Sequence, residues 1–349
     1  MTDLSYSEIK GTGSYVPRRV LTNQDLERML KERFPDDQGK WTTDEWIVQR
    51  TGIRERRIAT PDETNARMGT LALQNALNDA EVSADQLDLI VVGTNTNETN
   101  FPGCGAEIQA TVGATCPFFD IQAGCTGFVS ALSVADAFIR SGQYETIGVV
   151  GTDRLSGITD YRDRETCVLF GDMACAWLLK RSDRAGIIKC ILGGDGKGRD
   201  LIGLTHPDLA RLRERETGVQ TSEIYTTGQG YLHMDGKAVF RFAAAKLPNL
   251  CIELLDCTDY TLRNVTKIFP HNANLCIVDA AAKRLARQTG ISTEGLFYHN
   301  IDTYGNTSAA SCANSFHEAR KEGVIKEGDL AILAAFGAGL TWGGALIRL

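Results

Sequence analysis

The chain has 349 residues, 43% of them hydrophobic, and a formal net charge of -7; that length can bury a large core, as one big domain or two intimately packed ones. The acidic balance gives no whole-molecule attraction for nucleic acid, no apolar run approaches the roughly 20 residues that span a bilayer, and the ten cysteines include no Cys-x-x-Cys pair. With no secretory leader before Ile9-Lys10-Gly11-Thr12-Gly13, the cysteines read as reduced thiols of a cytoplasmic protein, not as a disulfide framework or a zinc site.

In chain order, Lys31 to Trp41 is a polar stretch with Pro and Gly that reads as a loop insertion. Met68 to Ala80 has helical periodicity and runs into a buried-strand pattern at Leu87 to Gly93. A small-residue turn, Ala123-Gly124-Cys125-Thr126-Gly127, opens a helix over Phe128 to Arg140, and Ile147 to Gly151 is again a buried strand. Gly193 to Gly198 is glycine-rich but lacks Walker spacing and a strand-to-helix context, so it reads as a turn. Arg199 to Gly230 is charged and turn-rich with no clear period, and Leu275 to Arg287 reads as a helix after the corner at His271. This alternation predicts an α/β protein.

Four features of the first half return in order in the second, displaced by roughly 180 residues. Leu89 to Asn95 matches Ile268 to Asn274, and the segment Phe118 to Gly127 matches Phe297 to Ser308. Ile147 to Asp153 matches Leu330 to Gly337, and Phe170 to Leu179 matches Phe336 to Leu346. The chain is therefore expected to be a duplicated α/β unit, with one half over 1–185 and the other over 186–349.

Three residues stand out chemically. Cys125 follows a strand and opens a helix, where unsatisfied amides and the positive end of the macrodipole favour thiolate, so it is expected to be nucleophilic at neutral pH. Its small neighbours let a substrate approach. His271, in Pro270-His271-Asn272-Ala273-Asn274, sits at a strand-to-helix corner, a common place for a catalytic histidine as well as for one that merely satisfies a loop. Asn306 occupies the repeat position of Cys125; it could equally be a helix N-cap. Equivalent positions of two pseudosymmetric halves converge on one site. His206, His233, His299 and His317 form no metal-ligand spacing, and no metal is expected.

Together these residues resemble the β-ketoacyl-[acyl carrier protein] synthase III family of the thiolase superfamily, over nearly the whole chain from Gly11-Thr12-Gly13 to Thr341-Trp342-Gly343. Its most specific motifs are Asp44 to Ile58, the Cys125 turn, Pro270 to Asn274 and Gly305-Asn306-Thr307-Ser308-Ala309-Ala310-Ser311. The resemblance implies a five-layered αβαβα duplication, a homodimer, and a Cys125–His271–Asn306 triad. It implies that Trp46 and Arg164 sandwich the coenzyme A adenine with Arg50 near the nucleotide, that Asn274 lies in the substrate site, that Phe101 closes the acyl pocket across the dimer interface, and that Phe336 shields the nucleophile. The oxyanion donors would be the backbone amides of Cys125 and Ala338. The implied reaction joins an acyl group from acyl-CoA to a malonyl thioester with loss of carbon dioxide, using no cofactor beyond the coenzyme A thioester substrate. Arg241, Lys283 and Arg284 are candidates for docking an acidic acyl carrier protein. Cys276 stands where family members that use a carrier protein often have Arg. That change keeps open a specialised acyltransferase or condensing enzyme of secondary metabolism; a non-catalytic acyl-binding subunit is the remaining alternative.

Overall fold

The structure is a computed structural model that describes residues 6–34, 42–184, 186–204 and 230–349. The first part of the chain runs β1 (Tyr6–Tyr15), β2 (Arg19–Thr22), α1 (Asn23–Arg33), α2 (Asp44–Thr51), β3 (Glu55–Ile58), α3 (Asn65–Ala80), β4 (Leu89–Gly93), α4 (Cys104–Val112), β5 (Phe118–Ile121), α5 (Gly127–Arg140), β6 (Thr146–Arg154) and β7 (Asp172–Ser182). It continues as β8 (Ile187–Gly194), β9 (Ile202–Leu204), β10 (Leu232–Met234), α6 (Gly236–Leu255), β11 (Val265–Pro270), α7 (Leu275–Thr289), α8 (Ile301–Tyr304), α9 (Ser311–Lys321), β12 (Leu330–Gly337) and β13 (Thr341–Arg348).

Two sheets share one plan. The first has the order β1-β7-β6-β4-β5 and the second β8-β13-β12-β11. In the first, β7 is antiparallel to β1 and β6, while β4 is parallel to β6 and β5. In the second, β13 is antiparallel to β8 and β12, β11 is parallel to β12, and a parallel bridge from Ile268 to Phe297 stands where β5 stands in the first. Three of the four sequence echoes fall on equivalent strands, and the fourth matches β5 with the bridge at Phe297. A fifth pair, β1 and β8, left no echo.

Period-2 patterning of the strands sets the layers. Leu89 and Val91 of β4 join a core with α5, α9 and the second sheet's Leu333 and Ala335, whereas Ile90 and Val92 face α3 and α4. On the far side Ile332 and Ala334 pack under α6 and α7. The result is helix, sheet, helix, sheet, helix. At the centre the buried Trp177 ring meets Phe128 of α5 at 5.0 Å and Phe316 of α9 at 4.4 Å, an aromatic cluster tying both middle helices to β7.

The helix predictions hold with small changes of end. Lys31 to Arg33, expected in a loop, belongs to α1, because apolar Leu26 and Leu30 recur at helical spacing and carry the turn past Lys31. Residues 35–41 of the expected insertion, and residues 205–229 of the charged segment with His206, lie outside the described residues. Gly196 to Gly198 is a single tight turn capped by the Asp195 carboxylate, which accepts from Lys197 N at 3.1 Å. No helix among the described residues is long and apolar enough to cross a membrane.

The layer-capping segment α1–α2–β3 is anchored by a fully buried arginine. Arg56 donates from Nη1 to Leu21 O and to Asn23 Oδ1 (2.8 Å) and from Nη2 to Val168 O (2.7 Å). Burial pulls its guanidinium down to about 10, and three chain segments depend on its donors. Arg56→Met keeps the volume but orphans these acceptors. At roughly 1–3 kcal/mol for each strongly desolvated group, the variant should lose about 3 kcal/mol of unfolding free energy in urea titration; an unchanged midpoint would contradict this role for Arg56.

Candidate active site

The parallel strands β4, β5, β11 and β12 end at one edge, the usual place for a site in an α/β sheet. Close backbone packing there leaves no room for side chains. A Cβ on Gly93 would meet Gly127 C at 2.3 Å, and one on Gly337 would meet Cys125 N at 2.5 Å. Gly124, at φ +57°, lies against Ala338 N, so the Cys125 turn and the end of β12 touch backbone to backbone. The turn is clamped further: Thr126 Oγ1 donates to Ala123 O at 2.6 Å, and Asn95 Nδ2 donates to Gly124 O at 3.0 Å.

A cavity of about 290 Å3 is lined by Cys125, His271, Asn306, Phe336, Trp46, Arg50, Arg164 and Asn274, with Ile202, Met234, Val239 and Phe240 forming much of its apolar wall. The structure thus brings together eight of the residues singled out from the sequence. Ala338 lies just behind the cavity at Gly124. Phe101 is 88% exposed and does not line the cavity of the single chain. Arg241 on α6, and Lys283 and Arg284 on α7, are exposed on two helices of the same outer layer.

The expectation of a resting thiolate is corrected. Cys125 precedes α5 by two residues, yet burial pushes its thiol up to about 12; the Ser308 hydroxyl and the residue's own amide oppose this and the Asp153 carboxylate adds to it. Ser308 Oγ lies 3.4 Å from Sγ. Desolvation of the charged form outweighs what the helix start offers the empty site.

His271 is equally enclosed, and burial holds its imidazole down to about 3. Its Nδ1 is 2.6 Å from Ser311 Oγ at the start of α9, and that oxygen already accepts from Asn272 N at 3.4 Å. Ser311 Oγ can donate its proton to Nδ1 while accepting from Asn272 N, an arrangement that leaves the ring N–H at Nε2. The Phe336 ring stands edge-on at 5.1 Å. Asn306 is fixed by its own turn. Its Oδ1 accepts from Ser308 N at 2.9 Å and its backbone bonds Leu169 and Gly171, which leaves the Nδ2 amide protons to the cavity. The site therefore presents two neutral donors beside a thiol.

At the mouth, Arg50 and Arg164 lie 5.5 and 5.2 Å from the Trp46 ring centroid. Arg164 is in direct contact with the indole, so a base entering between them must first part them. Asn274 caps α7 by accepting from Cys276 N at 2.8 Å and donates to Arg50 O at 3.0 Å, tying the histidine loop to α2. Cys276 Sγ lies 3.4 Å from the same carbonyl.

Sequence reasoning missed Ser308, Ser311 and Asp153. The first two lie inside the quoted Gly305 to Ser311 motif, where only Asn306 was given a role, and Asp153 closes the repeated strand Ile147 to Asp153. A buried acid ending an otherwise apolar strand was the available signal.

Two family models match, 3-oxoacyl-[acyl-carrier-protein (ACP)] synthase III over residues 119–196 and its C-terminal counterpart over residues 255–349. The chain is 40% identical over 345 residues to the β-ketoacyl-[acyl-carrier-protein] synthase III of Caldanaerobacter subterraneus subsp. tengcongensis, covering 97% of both. Among solved structures it is similar to 3-oxoacyl-[acyl-carrier-protein] synthase III of Aquifex aeolicus VF5, with TM-score 0.84, 38% identity and coverage of 98% and 100% of the two chains. It is also similar to the priming β-ketosynthase of the R1128 polyketide biosynthetic pathway, with TM-score 0.86, 34% identity and coverage of 99% and 96%. With near-complete coverage at this identity, the chain belongs to the β-ketoacyl-[acyl carrier protein] synthase III family, acyltransferases of the thiolase-like fold that carry out the initiating condensation of fatty acid synthesis.

Proposed function

We propose that this chain loads an acyl group from acyl-CoA onto Cys125 and condenses it with malonyl-acyl carrier protein, using His271 and Asn306 as the donors that stabilise the enolate. The observation that carries these roles is the convergence of a thiol, a neutral imidazole N–H and an amide N–H on one cavity. In the first half-reaction the Cys125 sulfur attacks the thioester carbonyl and coenzyme A departs. The amides of Cys125 and Ala338, brought together by the Gly124 and Gly337 contacts, are the candidates for the oxyanion donors, each worth about 2.7–4 kcal/mol in comparable sites.

In the second half-reaction the malonyl carboxylate leaves as carbon dioxide, and its bonding pair becomes the enolate. His271 Nε2–H and Asn306 Nδ2–H donate to the thioester oxygen as its charge develops. The α-carbon attacks the acyl carbonyl on Cys125, giving a 3-oxoacyl thioester and returning the sulfur. Neutral donors suffice because loss of carbon dioxide supplies the electron pair.

Trp46, Arg50 and Arg164 suit the nucleotide end of coenzyme A, the guanidiniums offering charge to phosphates and the indole a stacking face. Arg241, Lys283 and Arg284 offer a basic face to the acidic carrier protein. We further infer a homodimer built on β5, the terminal strand of the first sheet, where Phe118 and Phe119 are each more than one-third exposed; edge-to-edge pairing would cover both, and a partner would also cover the exposed Phe101. Phe119→Asp should shift the species measured by light scattering from dimer to monomer, and a monomeric wild type would refute this arrangement.

Intact-protein mass spectrometry after incubation with acyl-CoAs should give an adduct on wild type and none on Cys125→Ala, discharged as 3-oxoacyl product by malonyl-carrier protein. Discharge only by malonyl-CoA or another acceptor would instead support the secondary-metabolism reading, which the similarity to a polyketide priming enzyme favours. The pH behaviour of the second half-reaction follows from His271. A folded value near 3, against about 6.5 for a free imidazole, keeps the ring neutral from pH 8 down to pH 5. Malonyl thioester decarboxylation by the Cys125→Ala protein should therefore stay level across that range; a midpoint near 6.5 would mean that His271 titrates and acts otherwise.

A further inference from the structure

How the Cys125 thiol loses its proton is not answered by the triad. His271 Nδ1 is engaged by Ser311, its Nε2 carries a proton in the assigned tautomer, and burial makes the ring a weak base. Among the described residues, Ser308 is the side chain hydrogen-bonded to Cys125 Sγ. Against the rise that burial imposes, the same hydroxyl helps to lower the carboxyl of Asp153, a fully buried residue near the end of β6, and the neighbouring Ala309 N donates to that carboxyl at 3.2 Å, which sets Ser308 between the sulfur and the acid. Asp153 also accepts from Asn95 N at 2.8 Å, Asn95 Nδ2 at 3.2 Å and Thr96 Oγ1 at 3.1 Å. Burial raises this carboxyl above the ordinary carboxylate range, and the donors around it, which favour the ionised form, offset that only in part. Such a group can hold a proton briefly and give it back.

We propose that Ser308 and Asp153 form the proton path of the acylation step, with Ser308 as a catalytic residue touching the reacting sulfur and Asp153 acting through it. The Cys125 S–H bond breaks, its proton passes to Ser308 Oγ, and the Ser308 hydroxyl proton passes to an Asp153 carboxylate oxygen. This leaves a thiolate and a neutral carboxylic acid. The thiolate forms the new C–S bond to the acyl carbon, and the coenzyme A sulfur leaves with the electron pair of the old one. That sulfur takes the proton back through Ser308 as coenzyme A thiol, and Asp153 is again a carboxylate. This proposal rests on the acyl-loading reading above.

The backbone supports a dedicated role for this residue. Ser308 has φ +49°, a left-handed conformation costly for a residue with a side chain. That conformation accompanies the bond from its N–H to Asn306 Oδ1 and the placement of its hydroxyl at Sγ. One strained residue thus serves both halves of the reaction, the amide orienting Asn306 and the hydroxyl reaching Cys125.

Ser308→Gly separates the two, since glycine adopts positive φ readily and keeps the amide N–H while losing only the hydroxyl. Cys125 alkylation by iodoacetamide would be followed from pH 6 to pH 10, with acyl loading from acyl-CoA at pH 7. The titratable groups bearing on the thiol are Asp153, His271 in the same cavity and the buried Cys312 thiol. In the variant, loading and alkylation at pH 7 should fall at least tenfold and the alkylation midpoint should rise. A urea midpoint matched to wild type should certify the fold of the variant, and decarboxylation of malonyl thioester, measured with Cys125→Ala in both backgrounds, should read any effect on Asn306 separately from the loss of loading. Ser308→Ala, which also lacks the hydroxyl, should move the midpoint in the same direction. Unchanged alkylation in both variants, or a loss reproduced by His271→Ala but not by Ser308→Gly, would overturn the proposal. Loading of wild type alongside unchanged variants would leave the condensing function standing, whereas wild type that never loads would bring down that function itself.

Discussion

The site depends on a buried carboxyl group, that of Asp153, whose charged form burial disfavours and no cation neutralises among the described residues. Asp153 sits at the end of a strand that is otherwise apolar, and its hydrogen bonds come from the loop after β4 and from the turn that carries Asn306. Stripping water from such a group costs several kcal/mol unless donors replace it. The loops are therefore held in place because each supplies a donor that the carboxylate requires. Asn95 extends the hold to the nucleophile: bonded to Asp153, it also donates to the carbonyl of Gly124. The geometry of Cys125 relative to Asn306 follows from this one group.

Most of the architecture was legible in the sequence because it rests on periodicity. Strands such as Leu89 to Gly93 and the Ile147 to Gly151 part of β6 are apolar on both faces, as strands covered by helices on each side must be, and their echoes in β11 and β12 exposed the duplication. The echo failed for β1 and β8, which lie on the outside of their sheets and are half-buried, so that fewer of their positions are fixed by packing. Cys125 and His271 stood out as candidates because each follows a strand at a turn, whereas Asn306 follows the short helix α8 and stood out as the repeat counterpart of Cys125. Asp153 and Ser308 were not, since their roles come from contacts across 156 and 183 positions of sequence. The helix-start reading of Cys125 failed for a related reason: local sequence reveals the amides that favour a thiolate but not the depth that disfavours it.

The two halves diverge at their shared turn in a way that suits the chemistry. The first half places a thiol there and the second an amide donor, so duplication of one scaffold yields two chemically different groups facing a common cavity, the pair that the proposed mechanism uses for attack and for stabilisation. The neighbouring loop after β11 places His271, whose counterpart after β4 is the loop carrying Asn95, a residue that has become structural. A symmetric site would have two nucleophiles or two oxyanion stabilisers; divergence at a few loop positions converts it into one that takes an acyl group from one partner and a carbanion from another.

Neutrality of the donors has a physical rationale. A cationic imidazole in a low-dielectric cavity would attract the malonyl carboxylate and stabilise the ground state, whereas decarboxylation requires that negative charge to move from the carboxylate to the thioester oxygen. A neutral N–H, held by Ser311 and kept neutral by burial, interacts more strongly as charge reaches that oxygen and adds no net charge that would retain the carboxylate. The same burial penalises the free thiolate of Cys125 but not its acylated form, which carries no charge. The enclosure that makes deprotonation difficult thus favours the loaded state in which the enzyme must wait for its second substrate.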